Sequence, residues 1–238
     1  MGIDLDAYFG HAALPEDYRS GFVALIGRPN AGKSTLLNRL LGQKVAIVSD
    51  KPQTTRTKIQ GIYTDDTMQA VFFDTPGLHK PKHKLGDYMN RAAAVTFGDV
   101  DLTDASQPFG GGEAHICQQL AECGAPLFLL LNKLDLLPEA GPDKLAELAA
   151  PFEAKLNFAK VLGISAAEGQ GVEQLLGALR EQLPRGPRYY DEEQLTDQPE
   201  KQIMAEIIRE KIFLATREEI PHAVAVIISQ YQRRPNGM

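Results

Sequence analysis

Gly27-Arg28-Pro29-Asn30-Ala31-Gly32-Lys33-Ser34 restricts this chain more than any other segment. It has the full G-x-x-x-x-G-K-S spacing, follows the apolar run Phe22-Val23-Ala24-Leu25-Ile26, and leads into Thr35-Leu36-Leu37-Asn38-Arg39-Leu40-Leu41 before Gly42. Strand, loop and helix form the setting in which such a loop binds phosphate. The glycines let successive backbone N–H groups turn toward one point, and the helix N-terminus adds partial positive charge. Lys33 is expected to reach the β- and γ-phosphates and the Ser34 hydroxyl to ligate Mg²⁺. The expected nucleotide contacts run from Gly27 through Thr35.

Apolar runs alternate with helical patterns from residue 21 to 183, which predicts an α/β domain with a mostly parallel sheet. Strands are expected at 21–27, 57–64, 69–74, 126–132 and 159–165, and helices at 33–41, 84–98, 112–123, 143–156 and 171–183. The phosphate and base motifs then fall at the C-terminal ends of strands, the ligand-binding edge of such sheets. One stretch interrupts the pattern. After residue 98 the fold needs a central strand, but Asp99-Val100-Asp101-Leu102-Thr103-Asp104-Ala105-Ser106 has no apolar run of four. A buried parallel strand should be nearly continuous in hydrophobicity. Either the strand is very short, or residues are absent between Leu102 and Thr103. The second is favoured, because losing a central strand would orphan its neighbours' backbone groups.

Asp74-Thr75-Pro76-Gly77 follows the run Val71-Phe72-Phe73. An aspartate there can hold Mg²⁺, usually through water, while the Gly77 N–H can sense a γ-phosphate. Asn132-Lys133-Leu134-Asp135 closes the run Leu127 to Leu131. A carboxylate at Asp135 can accept from guanine N1–H and the 2-amino group, two donors that adenine lacks, so the site should discriminate strongly. The Lys133 stem can lie along the base, and Asn132 can brace the loop. Ser165-Ala166-Ala167 can offer a backbone N–H to guanine O6. These motifs specify GTP over ATP. In Lys51-Pro52-Gln53-Thr54-Thr55-Arg56-Thr57, a threonine can join the Mg²⁺ shell when triphosphate is bound.

Composition sets limits. The 238 residues are 43% hydrophobic and 24% charged, ordinary for a chain with a real core. A net charge of −6 at pH 7 excludes holding nucleic acid by general basicity, so any RNA contact needs a local patch. Apolar runs near 126–131 and 223–228 are too short to span a bilayer. Cys117 and Cys123 lack metal-ligand spacing and are expected to be reduced thiols. No basic segment followed by an apolar stretch opens the chain, so no secretory signal is expected. His79 and His83 lack further ligands for zinc, and the segment 79–84 is expected to be a solvated switch segment. Arg233-Arg234 reads as an exposed turn.

Pro184-Arg185-Gly186-Pro187-Arg188 has linker composition. Asp197-Gln198-Pro199-Glu200 then has the form of a helix start, and Met204, Ile207, Ile208, Ile212 and Ala215 repeat at helical spacing. Ala223-Val224-Ala225-Val226-Ile227-Ile228 reads as a buried strand. The expected organisation is a loose lead-in over 1–20, a nucleotide-binding domain over 21–183, a linker over 184–198 and a partial α/β unit over 199–238.

Five motifs in order, together with Gly-Arg-Pro-Asn-Ala-Gly-Lys-Ser, Pro-Gln-Thr-Thr-Arg and the later Ile-Ile-Arg-Glu-Lys and Glu-Glu-Ile-Pro-His, make residues 20–238 resemble the Era GTPases. The resemblance implies a P-loop NTPase fold of the Ras-like type that binds GTP or GDP with Mg²⁺. It implies a hydrolytic switch that meets the small ribosomal subunit near the 3′ region of its 16S rRNA, in the cytoplasm, as a monomer, with peripheral contact at the inner face of the cell membrane. Motif alignment selects Thr55 over Thr54 for Mg²⁺, beside Ser34 and Asp74. The family's C-terminal KH domain grips RNA through a G-x-x-G loop. No such loop occurs after residue 188, so 199–238 corresponds to a partial KH-like unit.

Leu78 stands where Ras-like enzymes carry a water-orienting glutamine. Relatives with a hydrophobic residue there use K⁺ held partly by the residue matching Asn30, which implies slow hydrolysis accelerated by K⁺. Catalysis would rest on positioning and charge stabilisation by Lys33, Asn30, Thr55 and Gly77, without a general base. Two other readings stay open: an RNA-binding chaperone in which nucleotide only regulates affinity, and a related GTPase acting in tRNA modification or large-subunit assembly.

Overall fold

The computed structural model describes residues 14–46, 59–74, 97–121, 124–137, 139, 141–215 and 224–230. Strand β1, Arg19–Ile26, is apolar and buried along most of its length. Helix α1, Lys33–Leu41, buries Leu36, Leu37, Leu40 and Leu41. It stops at Gly42, whose left-handed backbone (φ 63°) lets its N–H bond the Arg39 carbonyl. Strands β2, Ile59–Thr64, and β3, Met68–Asp74, form an antiparallel hairpin. Its turn is closed by Asp65, whose Oδ1 accepts from the N–H groups of Thr67 and Met68.

Strand β4 is Phe97–Asp104, helix α2 is Gly111–Leu120 and strand β5 is Leu127–Asn132. Helix α3, Pro142–Glu153, strand β6, Lys160–Gly163, and helix α4, Val172–Gln182, complete the domain. The six strands lie in the order β2-β3-β1-β4-β5-β6. Every pairing except β2–β3 is parallel. Alternation splits the core into two layers. Leu25, Phe72, Val100, Leu102 and Leu130 pack with α1 and α4 on one face. Leu129, Leu131, Cys117 and Phe152 pack with α2 and α3 on the other. This doubly covered, mostly parallel sheet is the α/β architecture that the sequence predicts.

Two expectations are corrected. Residues 97 and 98, expected to close a helix over 84–98, are strand residues, and 84–96 lie outside the described residues. The polar segment after them is neither very short nor interrupted. β4 pairs with β1 from Phe97 to Asp101 and with β5 from Asp99 to Asp104, so the sheet closes with the residues present. Ladder bonds on both sides satisfy the backbone of a central strand whatever its side chains. Val100 and Leu102 enter the apolar layer, while Asp101 and Thr103 are buried on the opposite face.

The linker-like segment is strapped to the sheet. The Ser20 N–H bonds the Pro184 carbonyl, the Gly186 N–H bonds Tyr18, and the Ile62 N–H bonds Leu195. Buried Gln69 accepts from the N–H groups of Tyr189 and Tyr190 and donates to the Tyr190 carbonyl. Helix α5, Glu200–Ala215, follows, and an ion pair of 2.7 Å joins Glu210 to Lys44 at the exit of α1. The run expected as a buried strand is not one. Residues 224–230 form no strand, and Ile227 is 87% exposed. An apolar run becomes a strand only beside a ladder partner, and none stands there among the described residues.

Candidate nucleotide site

The sheet brings the motifs to one edge. The loop from Gly27 leaves the end of β1, Asp74 ends β3, Asp104 ends β4 and Asn132 ends β5. Ser165 and Ala166 lie two and three residues beyond β6, since β6 ends at Gly163. With the order β3-β1-β4-β5-β6, the five positions form a row from Asp74 to the loop after β6. Thr55 and Gly77 fall outside the described residues, as does Leu78.

The phosphate loop owes its shape to two glycines. Gly27 (φ 145°) passes so close to the Leu102 backbone that a Cβ would sit 2.2 Å from that carbonyl oxygen. Gly32 (φ 105°) caps α1, and a Cβ there would sit 2.2 Å from Asn132 Nδ2. Neither position has room for a side chain. Asn30 is also left-handed (φ 64°). Pro29 and Ala31 complete the curve, and Lys33, Ser34 and Thr35 form the first turn of α1, with their N–H groups at the positive end of the helix. The Lys33 ammonium is buried and donates to the carbonyls of Gly27 and Arg28, each at 2.8 Å.

Beside the loop, Arg28 forms a 2.9 Å ion pair with Glu113 in the first turn of α2. Burial alone would raise the Glu113 carboxyl, but bonds from Arg28 and the Gly110 N–H outweigh it and hold the carboxyl below its ordinary value. Asp101, on β4, is 2% exposed, and its Oδ2 has no hydrogen-bond partner. Burial pushes its carboxyl up to about 7, with Glu113 adding to the rise and Lys33 opposing it. Sequence reasoning did not mark Asp101 or Glu113.

The base end is cross-linked by side chains. Asn132 donates from Nδ2 to the Ala31 carbonyl at 2.7 Å and accepts at Oδ1 from the Ala166 N–H at 2.9 Å. One amide therefore ties the phosphate loop to the loop after β6. Ser165 Oγ donates to Asp135 Oδ1 at 2.5 Å, and exposed Asp135 has no other partner among the described residues. Its Oδ2 is open to accept from a base edge. Lys133 is left-handed (φ 68°), and its ammonium pairs with Asp104 at 2.7 Å. Burial would raise the Asp104 carboxyl, but bonds from Lys133 and Ser106 hold it below the ordinary carboxylate range. Asp104 was missed in the sequence, although Asp104-Ala105-Ser106 has the form of an Asx turn. No cluster of metal-ligating side chains exists among the described residues.

Comparison with known proteins agrees with this geometry. Residues 22–133 match the family model described as a 50S ribosome-binding GTPase. The fold is similar to Era in complex with MgGDPNP and nucleotides 1506–1542 of 16S ribosomal RNA. That match has TM-score 0.76 and 32% identity, over 92% of this chain and 75% of that one. It is equally similar to a Tyr-to-Ala variant of Aquifex aeolicus Era bound to GDP and AlF4⁻, with TM-score 0.77, 32% identity and the same coverage. A phosphate loop and guanine loops on one sheet edge, with identity at this level over most of both chains, give one conclusion: the chain belongs to the Era family of GTPases.

Proposed function

We propose that this GTPase is a switch in small ribosomal subunit assembly, acting on the 16S rRNA 3′ region. The observation that carries the nucleotide part is the Asp135–Ser165 pair, which holds exposed Asp135 through Oδ1 and leaves Oδ2 with no partner among the described residues. That oxygen suits guanine N1–H and the 2-amino group. Gly27 to Thr35 would wrap the phosphates, with Asn132, Lys133, Ser165 and Ala166 framing the base. Ser34 would ligate Mg²⁺ directly and Asp74 through water, with Thr55 joining in the triphosphate state. These residues fit Mg²⁺ chemically, being oxygen donors at the head of α1 and the end of β3.

Mg²⁺ would neutralise charge on the β- and γ-phosphates. Lys33 would exchange its carbonyl partners for phosphate oxygens, and the Gly77 N–H would follow the γ-phosphate. Asn30 would hold K⁺. The rRNA part of the reading rests on the Era relative that carries 16S rRNA and aligns over 92% of this chain. Large-subunit action is the second reading, favoured by the 50S description. That match ends at residue 133, within the nucleotide-binding half. The partial KH-like unit over 199–238, a monomeric state and a cytoplasmic location with peripheral membrane contact belong to the same proposal.

Phosphate release from GTP in KCl and in NaCl, by wild type and Asn30→Ala, tests the catalytic part. Turnover should be faster in K⁺, and the difference should vanish in the variant. Equal rates in both salts for wild type overturn the K⁺ element. Co-sedimentation with isolated small and large subunits decides the partner: preference for small subunits in the GTP state is expected, and preference for large subunits overturns it.

A further inference from the structure

Arg39 lies in the last turn of α1, the helix that begins at the phosphate loop. Its guanidinium reaches the loop after β6. Nε donates to the Ala166 carbonyl at 3.3 Å, and a terminal nitrogen donates to the Ala167 carbonyl. The loop itself is a closed turn. The Ser165 N–H bonds the Gln170 carbonyl at 2.9 Å, the Gly169 N–H bonds the Ser165 carbonyl at 2.7 Å, and the Glu168 N–H bonds Ser165 Oγ at 3.1 Å. The Ala166 N–H meets Asn132, so the N–H groups of Ser165, Ala166, Glu168 and Gly169 are engaged inside the protein, whereas that of Ala167 has no partner among the described residues.

A trans peptide sets each carbonyl antiparallel to the N–H that follows it. Holding the Ala166 carbonyl toward Arg39 therefore fixes the direction of the Ala167 N–H on the other side of the same plane. Holding the Ala167 carbonyl keeps the Glu168 N–H turned toward Ser165 Oγ, the hydroxyl that also orients Asp135. We infer that Arg39 is a positioning residue for guanine recognition: it fixes the backbone of residues 165–167, aims the Ala167 N–H at guanine O6, and couples that loop to the phosphate-loop helix. This rests on the guanine-nucleotide reading of the site. Arg suits the task because its planar fork spans two adjacent carbonyls, which the single ammonium of a lysine cannot do equally well.

The test is displacement of a fluorescent GDP by GDP, IDP and ADP, in Mg²⁺ buffer, for wild type, Arg39→Ala and Arg39→Lys. Guanine and hypoxanthine carry O6, and adenine does not. Arg39→Ala should weaken GDP and IDP together by roughly threefold to tenfold, the range for two charge-assisted bonds at an exposed site, and leave ADP unchanged. Arg39→Lys should recover part of the loss. Unchanged GDP and IDP affinity in Arg39→Ala, or an equal loss for all three ligands, overturns the assignment, the second because it marks general damage to α1. Equal affinity of the wild type for GDP and ADP would instead overturn the guanine reading itself.

Discussion

The base end and the phosphate end of the site are built differently. At the base end, side chains hold side chains and backbone: Asn132 bridges Ala31 and Ala166, Ser165 holds Asp135, and Asp104 holds Lys133. These links tie three loops to one another, and on the proposed function a base would meet a preorganised frame. At the phosphate end, backbone curvature does the shaping, at Gly27 and Gly32, and the principal cation is already engaged by loop carbonyls. Phosphate binding there would require Lys33 to change partners, and Asp101 on β4 is buried without a hydrogen bond on Oδ2. On the proposed function, specificity would be placed at one end and the responsive chemistry at the other, as a nucleotide switch needs.

The contrast can be broken at several points. Asp135→Asn should have the largest effect, reducing the preference for GDP over ADP by about a thousandfold, because guanine donors would lose a charged acceptor. A preference reduced less than tenfold would place base recognition elsewhere. Asp101→Val should act in the opposite sense and stabilise the fold. A folded-state carboxyl near 7 against an ordinary value of 3.8 means the native state holds an extra proton in between, so stability falls as pH rises across that window. At pH 8 the variant should therefore gain about 4 kcal/mol, raising Tm by roughly 8–16 °C, and the gain should shrink as pH falls toward 4. A pH-independent difference in Tm would contradict the buried charge.

Ser165→Ala should weaken GDP by about tenfold and ADP hardly at all, since it removes the bond that orients Asp135. Competition binding checks it, and equal losses for both nucleotides would point to collapse of the turn instead. The smallest effect concerns Asp104. Its folded-state carboxyl lies below the ordinary value, so its stabilisation is present above that value and is lost as pH falls through the lower one. GDP binding by Asp104→Asn should match that of wild type at acid pH and trail it by less than about tenfold at neutral pH, because the Lys133 pair is partly solvated.

Local signals carried much of this architecture. The phosphate loop is legible because its requirement is local: glycines where a Cβ would strike Leu102 or Asn132, then a helix of leucines. The base motifs are legible because one closes the apolar strand β5 and the other follows shortly after β6. Arg39, Glu113 and Asp104 were not, because their partners arrive from other elements and only the assembled sheet sets them side by side. Strand β4 misled for a related reason. Hydrophobic continuity describes how strands usually earn burial, but β4 is held by ladders on both sides and tolerates Asp101 inside. The run at 223–228 misled in reverse, with strand composition and no ladder beside residues 224–230.

Whether the two ends together make a guanine-specific hydrolase is decided by phosphate release from GTP and ATP measured in parallel, in Mg²⁺ and K⁺. Slow release from GTP, essentially none from ATP, and loss of that contrast in Asp135→Asn are expected. Comparable release from both nucleotides by the wild type would contradict guanine specificity.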